Sequence, residues 1–201
     1  MPTPSASLPL QCNCGVLRGS VDVAPDSGIH VMCYCDDCQA FAHELRRAEL
    51  LDAHGGSELW VTTPSRFRLS AGLGQLRCLR LSAKGLLRWH SGCCNTPVAN
   101  TLVTARGPFV SMYGAFLAPG PRDLPGKTYG VQGRFAIGGL PPGAHATSSL
   151  GLLAKASVFM ARSFVTGARL PTPLFAAGGQ PVVAPRVLSV AERQALRPVA
   201  G

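Results

Sequence analysis

Seven of the eight cysteines in this chain fall into three tight groups, and this constrains the fold more than any other feature. The groups are Cys12 and Cys14 (CNCG), Cys33, Cys35 and Cys38 (CYCDDCQ), and Cys93 and Cys94 (CCNTP); Cys78 stands apart. Cysteines one or two residues apart rarely bond to each other, because a disulfide needs a suitable Cα separation and direction. In a reducing compartment such clusters point to metal ligands. Residues i and i+2 of an extended segment project to the same side. Cys12 and Cys14 can therefore grip one ion together, and so can Cys33 and Cys35. The two-residue gap to Cys38 is the knuckle spacing that presents two sulfurs to one metal. A thiolate-rich, histidine-poor donor set favours zinc, one or two Zn2+ ions, over magnesium, calcium or manganese. Cys78 lies in an alternating segment and reads as a small buried hydrophobe.

The chain has 201 residues, enough for one domain with a real core. Hydrophobic residues at 46% and charged residues at 14% exclude a disordered chain. Its 23 glycines and 17 prolines favour turns and short strands over long helices. The start, MPTPSASLPLQ, lacks the basic and apolar regions of a secretory signal. No uncharged apolar run reaches the ~18 residues a membrane span needs. The expectation is a cytoplasmic protein with no membrane partner. Charge is uneven. Residues 1–65 hold three arginines against eight acids, a net of −5, and residues 66–201 hold sixteen basic residues against two acids, a net of +14. The basic part could meet nucleic acid, a small anion, or the acidic part of its own chain. Its cations are scattered, and no helix-turn-helix or aromatic–basic platform is visible, which weighs against nucleic acid.

The pattern predicts a mainly β fold. Residues 1–9 read as a flexible tail. Strands are expected over 16–23, 29–32, 59–63, 67–70 and 76–81, the last with 86–90 as its hairpin partner. A short helix is expected over 41–51. Residues 10–115 then form a domain of short antiparallel strands. Residues 116–201 form a loop-rich extension packed on it, with helices near 149–166 and 190–197. The first is capped by Ser148 or Ser149, and the second opens with the capping box Ser189-x-x-Glu192. The apolar stripe Leu152, Leu153, Ala156, Phe159, Met160 and Phe164 reads as core.

CNCG, CYCDDCQ and CNTP at 94–97 resemble, in order and spacing, the motifs of the glutathione-dependent formaldehyde-activating enzyme and centromere protein V family. The resemblance covers roughly residues 10–100. It implies a β-tent zinc-binding domain with two zincs. The family's structural zinc takes both cysteines of C-x-C-G and both of C-x-x-C-G-T-P. Cys12, Cys14 and Cys94 match, while Ser91 occupies the remaining position. Cys93 is the nearest replacement and His90 the second choice. Asn95 replaces the glycine of that motif, and asparagine tolerates positive φ better than most residues. The resemblance assigns Cys33, Cys35 and Cys38 to a catalytic zinc whose fourth position is left for water or a substrate thiolate. It implies a carbon–sulfur lyase acting on a small thiol or thiol adduct such as S-hydroxymethylglutathione. The competing reading is a non-catalytic, zinc-stabilised binding or scaffold module.

His43 and Glu44 are candidates to complete the second site or to act as acid and base beside it, against the plainer reading of a helix-surface pair. Asp36 and Asp37 read as solvent-facing turn residues. Arg88 either offsets thiolate charge or lies on the surface, and the surface is the plainer reading.

Overall fold

Alternation along the strands sends successive side chains into two different cores. The computed structural model describes residues 6–120 and 124–196. The expected strands are β2 (Arg18–Val23), β3 (Gly28–Cys33), β4 (Ser57–Thr62), β5 (Phe67–Ala71), β6 (Leu76–Arg80) and β7 (Leu87–Ser91). The expected hairpin is in place, with Leu76 opposite Ser91 and Leu79 opposite Arg88. Five more strands join them: β1 (Ala6–Gln11), β8 (Pro97–Thr101), β9 (Val110–Tyr113), β10 (Thr128–Val131) and β11 (Arg186–Val187).

The strands make a three-stranded sheet, β1-β2-β5, and an eight-stranded sheet, β10-β3-β4-β9-β8-β7-β6-β11. Pairing is antiparallel except at the edges of the large sheet, where β10 on β3 and β11 on β6 run parallel. The fold is mainly β, with antiparallel and mixed sheets, one helix early in the chain and two toward the C-terminus. Trp60, Leu87, Trp89 and Met112 of the large sheet pack with Leu10, Val21 and Phe67 of the small one. Their neighbours Leu59, Leu79 and Tyr113 point the other way, into a second core with Phe41 and Leu45. The large sheet is thus covered on both faces.

The helices are α1 (Asp36–Glu44), α2 (Leu150–Val165) and α3 (Val190–Ala195). α1 departs from expectation. It begins five residues before 41, inside the cysteine motif, because Cys35 is its N-cap and accepts the Cys38 N–H on Sγ at 3.3 Å. Asp36 and Asp37 occupy its first turn, where the helix dipole favours acids. The helix stops near Arg46, whose φ of 54° leaves the right-handed region, and Ala48–Leu50 forms only a separate 3-10 turn. The helices in the extension match their caps: Ser149 for α2, and the capping box for α3. The expected end of α3 at 197, like residues 1–5 of the tail, lies outside the described residues.

Three further expectations change. Residues 6–9, read as tail, pair with Ser20–Val23 as the first part of β1. The boundary at 115/116 separates no packing unit, because β10 and β11 are edge strands of the large sheet. The stripe on α2 is only partly core. Leu152 is buried and Ala156 and Phe159 pack against the second cluster, but Leu153 and Phe164 are each 51% exposed. A helix on the outside of a covered sheet needs only one narrow face inward.

Gly19 sits where β2 meets β5, and a Cβ there would lie 2.0 Å from the Arg68 carbonyl oxygen, a backbone atom that cannot swing away. Gly19→Ala is expected to cost about 1–3 kcal/mol or more. A denaturant titration showing an unchanged midpoint would contradict this placement of the small sheet.

Candidate metal centres

The first cysteine group is assembled from two turns far apart in sequence. At CNCG the chain folds back on itself: the Gly15 N–H donates to the Cys12 carbonyl at 2.8 Å, and the Leu17 N–H donates to Cys12 Sγ at 3.2 Å. Gly15 has φ 77°, which a side chain would strain. Across from it, the β7–β8 turn is tied by Ser91. Its N–H donates to the Thr96 carbonyl, and its hydroxyl accepts the Thr96 N–H, both at 2.9 Å. Asn95 adopts φ 54°, so the turn survives the loss of glycine there. The Asn13 N–H donates to Thr96 Oγ1 at 2.9 Å and joins the two turns.

These turns bring together Cys12, Cys14, Cys93 and Cys94, with all four Sγ atoms within 4.8 Å of one another. Individual separations are 3.6 Å (12–14), 3.7 Å (12–93), 3.2 Å (14–93) and 3.9 Å (93–94). Four sulfurs each about 2.3 Å from a tetrahedral metal stand about 3.8 Å apart. The group therefore fits a metal ion. Its polarity is graded, since Cys12 is buried while Cys14 and Cys93 are exposed. Cys94 has its pKa brought down to about 5: burial opposes this, and the Ser91 and Thr96 hydroxyls, 3.3 and 3.2 Å from its sulfur, outweigh burial. Burial and the neighbouring thiols of Cys14 and Cys12 push Cys93 up to about 12. A metal ion bound by these sulfurs would have to displace the Cys93 proton, whereas Cys94 gives up its own readily.

Ser91, the misfit of the motif comparison, is thus a turn-former and a hydrogen-bond partner of Cys94, and Cys93 stands among the four sulfurs. His90 belongs to neither cysteine group. It packs edge-on against Phe41, with ring centroids 6.2 Å apart, and its Nδ1 is buried without a hydrogen-bond partner.

The second group, Cys33, Cys35 and Cys38, also lies within 4.8 Å. Cys33 ends β3, Cys35 caps α1 and Cys38 lies in the first turn of that helix. The helix N-terminus favours thiolates there. Cys33 and Cys38 are buried and Cys35 is half-buried. The three thiols share their charge unequally: hydrogen bonding with Cys35 and Cys38 raises Cys33, and hydrogen bonding from Cys33 and Cys35 lowers Cys38 well below the usual thiol range. His43 and Glu44 do not join this group. They end α1, five and six residues past Cys38, about 8–9 Å farther along the helix axis. Glu44 pairs with Arg186.

For Arg88 the structure reverses the plainer expectation. Arg88 is 3% exposed, not a surface residue. Its Nη1 lies 3.9 Å from Cys38 Sγ, 3.1 Å from the Tyr113 hydroxyl and 3.4 Å from Asn100 Oδ1. Its Nη2 is 3.7 Å from Asp37 Oδ2, and Asp37 also accepts from Arg193 at 2.8 Å. Burial disfavours the guanidinium charge, but Tyr113, the thiols of Cys38 and Cys35, and Asp37 outweigh it and raise the pKa. The available signal was a lone arginine between Leu87 and Trp89, in a strand that the structure buries almost throughout.

Fold and sites together define a mainly β protein with two cysteine centres able to hold metal ions. The chain belongs to a family of unknown function (DUF6151), which matches residues 4–185. The match contains both cysteine groups, Arg88 and α2, and ends just before β11 and α3. No curated protein matches the chain. No described helix is long and apolar enough to cross a membrane.

Cys93→Ser is expected to remove one metal equivalent per chain, and His90→Gln none, as read by elemental analysis of the purified protein. His90 has its pKa lowered to about 4, by burial first and then by Arg77 and Arg186. The unfolded chain gains this proton near pH 6.5, which the folded chain refuses until about pH 4, so stability falls as pH drops through that window. In an NMR titration the His90 ring should remain neutral at pH 5.5, where an ordinary imidazole is mostly protonated.

Proposed function

We propose that this is a two-zinc protein of β-tent type, in which Cys12, Cys14, Cys93 and Cys94 hold a structural zinc and Cys33, Cys35 and Cys38 a functional one. All-sulfur donors favour zinc. The functional reading is a carbon–sulfur lyase-like activity on thiol–aldehyde adducts. It is supported by the motif order that resembles the formaldehyde-activating family. The observation that carries it is that the second group offers three cysteines and, among the described residues, no fourth cysteine, histidine or carboxylate.

When bound, zinc supplies Lewis-acid polarisation of an oxygen and stabilisation of a thiolate. The chain's own part is to orient and to exclude water. β3 and the first turn of α1 fix the three sulfurs, and the helix dipole favours their charge. β10 of the extension pairs with β3 up to Val131 opposite Cys33, and the Tyr34 N–H donates to the Val131 carbonyl, so the extension shields this side of the centre. In the forward reaction the thiol sulfur bonds to the aldehyde carbon, the carbonyl π bond opens, and the thiol proton ends on oxygen. His43 and Glu44 lie at the far end of α1 and are not part of the cysteine group.

The shielding also favours a second reading, a non-catalytic clasp. Assay of formaldehyde with glutathione decides between them. The lyase reading expects adduct formation faster than in solution, lost in Cys38→Ser. Protein carrying two zinc equivalents with no rate above the solution reaction would leave the clasp.

A further inference from the structure

The three-cysteine centre contains a charge problem that the proposed zinc does not solve alone. Three thiolates against one divalent ion leave one negative charge in a site where Cys33 is 8% exposed and Cys38 4%. Burying an uncompensated charge is costly. Arg88 is the cation in place. It reaches from β7 across the sheet face, is 3% exposed, and lies 3.9 Å from Cys38 Sγ. Asp37, 3.7 Å from its Nη2, offsets it only in part, because that carboxylate is shared with Arg193 at 2.8 Å. Tyr113 and Asn100 hold the guanidinium by its Nη1, at 3.1 and 3.4 Å, and bond to each other. Phe41 of α1 closes over it, 5.4 Å from ring centroid to the guanidinium carbon. The arginine thus has a built socket whose one sulfur contact is a cysteine of the centre.

We infer that Arg88 is a positioning residue for the second centre: its buried charge balances the third thiolate and orients Cys38 toward the metal. This rests on the reading that Cys33, Cys35 and Cys38 bind a metal. Tyr113 and Asn100 act one step behind, by fixing the guanidinium. At the first centre Arg47 donates to the Cys94 carbonyl at 2.9 Å, not to a sulfur. Cys14 and Cys93 there reach solvent, and the Ser91 and Thr96 hydroxyls serve Cys94. Removing the charge at 88 must therefore affect one centre and spare the other.

The test is cobalt substitution of the full chain, read by sulfur-to-cobalt charge-transfer absorption and by competition with a chelator. Wild-type protein should take two equivalents with separable affinities. Arg88→Gln should weaken the second centre about 10- to 100-fold, the usual effect of losing a partner of a metal ligand, and leave the first unchanged. Arg88→Lys keeps the charge and loses the fork, and should recover most of the affinity. An unchanged second centre in Arg88→Gln would overturn the inference, as would an equal loss at both centres. Should Arg88→Gln fail to fold, Arg88→Lys carries the test alone. Loss of the second centre from folded Arg88→Lys that keeps the first would overturn a charge role. A wild-type chain that takes cobalt only at the first centre would overturn the metal reading itself, an outcome distinct from all of these.

Discussion

The meeting of Cys12 and Cys14 with Cys93 and Cys94 is the constraint on which the rest of the structure depends. It ties the start of the small sheet to the β7–β8 turn of the large one, with Cys14 and Cys93 separated by 79 positions in sequence. Closing a loop of that length is entropically costly, and a metal ion bound only by the folded site would offset that cost. The same junction sets the first core. Cys12 is itself part of the cluster that contains Trp60, Trp89 and Phe67. The turns around it, with Gly15 and Asn95 in left-handed conformations, hold the sulfurs together.

On the other face of the large sheet, α1 organises the second core. It enters directly from the cysteine motif and buries Phe41 and Leu45 against the sheet. The C-terminal segment then grips it at both ends: Arg193 pairs with Asp37 in the first turn and Arg186 with Glu44 in the last. These are exposed or half-exposed pairs, individually weak. They nevertheless show where part of the chain's charge asymmetry goes. The acidic N-terminal third and the basic remainder meet each other, and Arg88 carries the same complementarity into the interior.

Much of the architecture was legible in order and period. The strands from 16 to 90 follow alternation, and α2 and α3 follow their caps, because those signals are local and the structure does not override them. Other elements gave no local signal. β1 contains Pro9 and was masked by a proline- and serine-rich start. β10 and β11 are short parallel edge strands whose reason to exist is the neighbour they pair with. The start of α1 was hidden because a cysteine cap is an unusual beginning and the apolar period starts later. The α2 stripe was read as core because periodicity records that a helix has an apolar face, not how much of that face finds a partner.

The cysteine groups themselves were determined by the sequence: spacing of one or two residues is enough to bring sulfurs to a common point once the backbone extends or turns. Which groups share a centre does not follow from spacing; the family resemblance implied the grouping, with Cys93 or His90 left open, and the tertiary structure brings Cys93 in. Cys93 reaches Cys12 and Cys14 because two turns interlock through Asn13 and Thr96, whereas His90 lies on a strand that directs it toward Phe41. Arg88 is the sharper case. Sequence shows a charged residue, and charged residues are usually solvated. Only a sheet covered on both faces, with Tyr113, Asn100 and Phe41 around the guanidinium, turns that arginine inward beside a thiol. Burial is a property of what folds over a residue, and that information lies in distant parts of the chain.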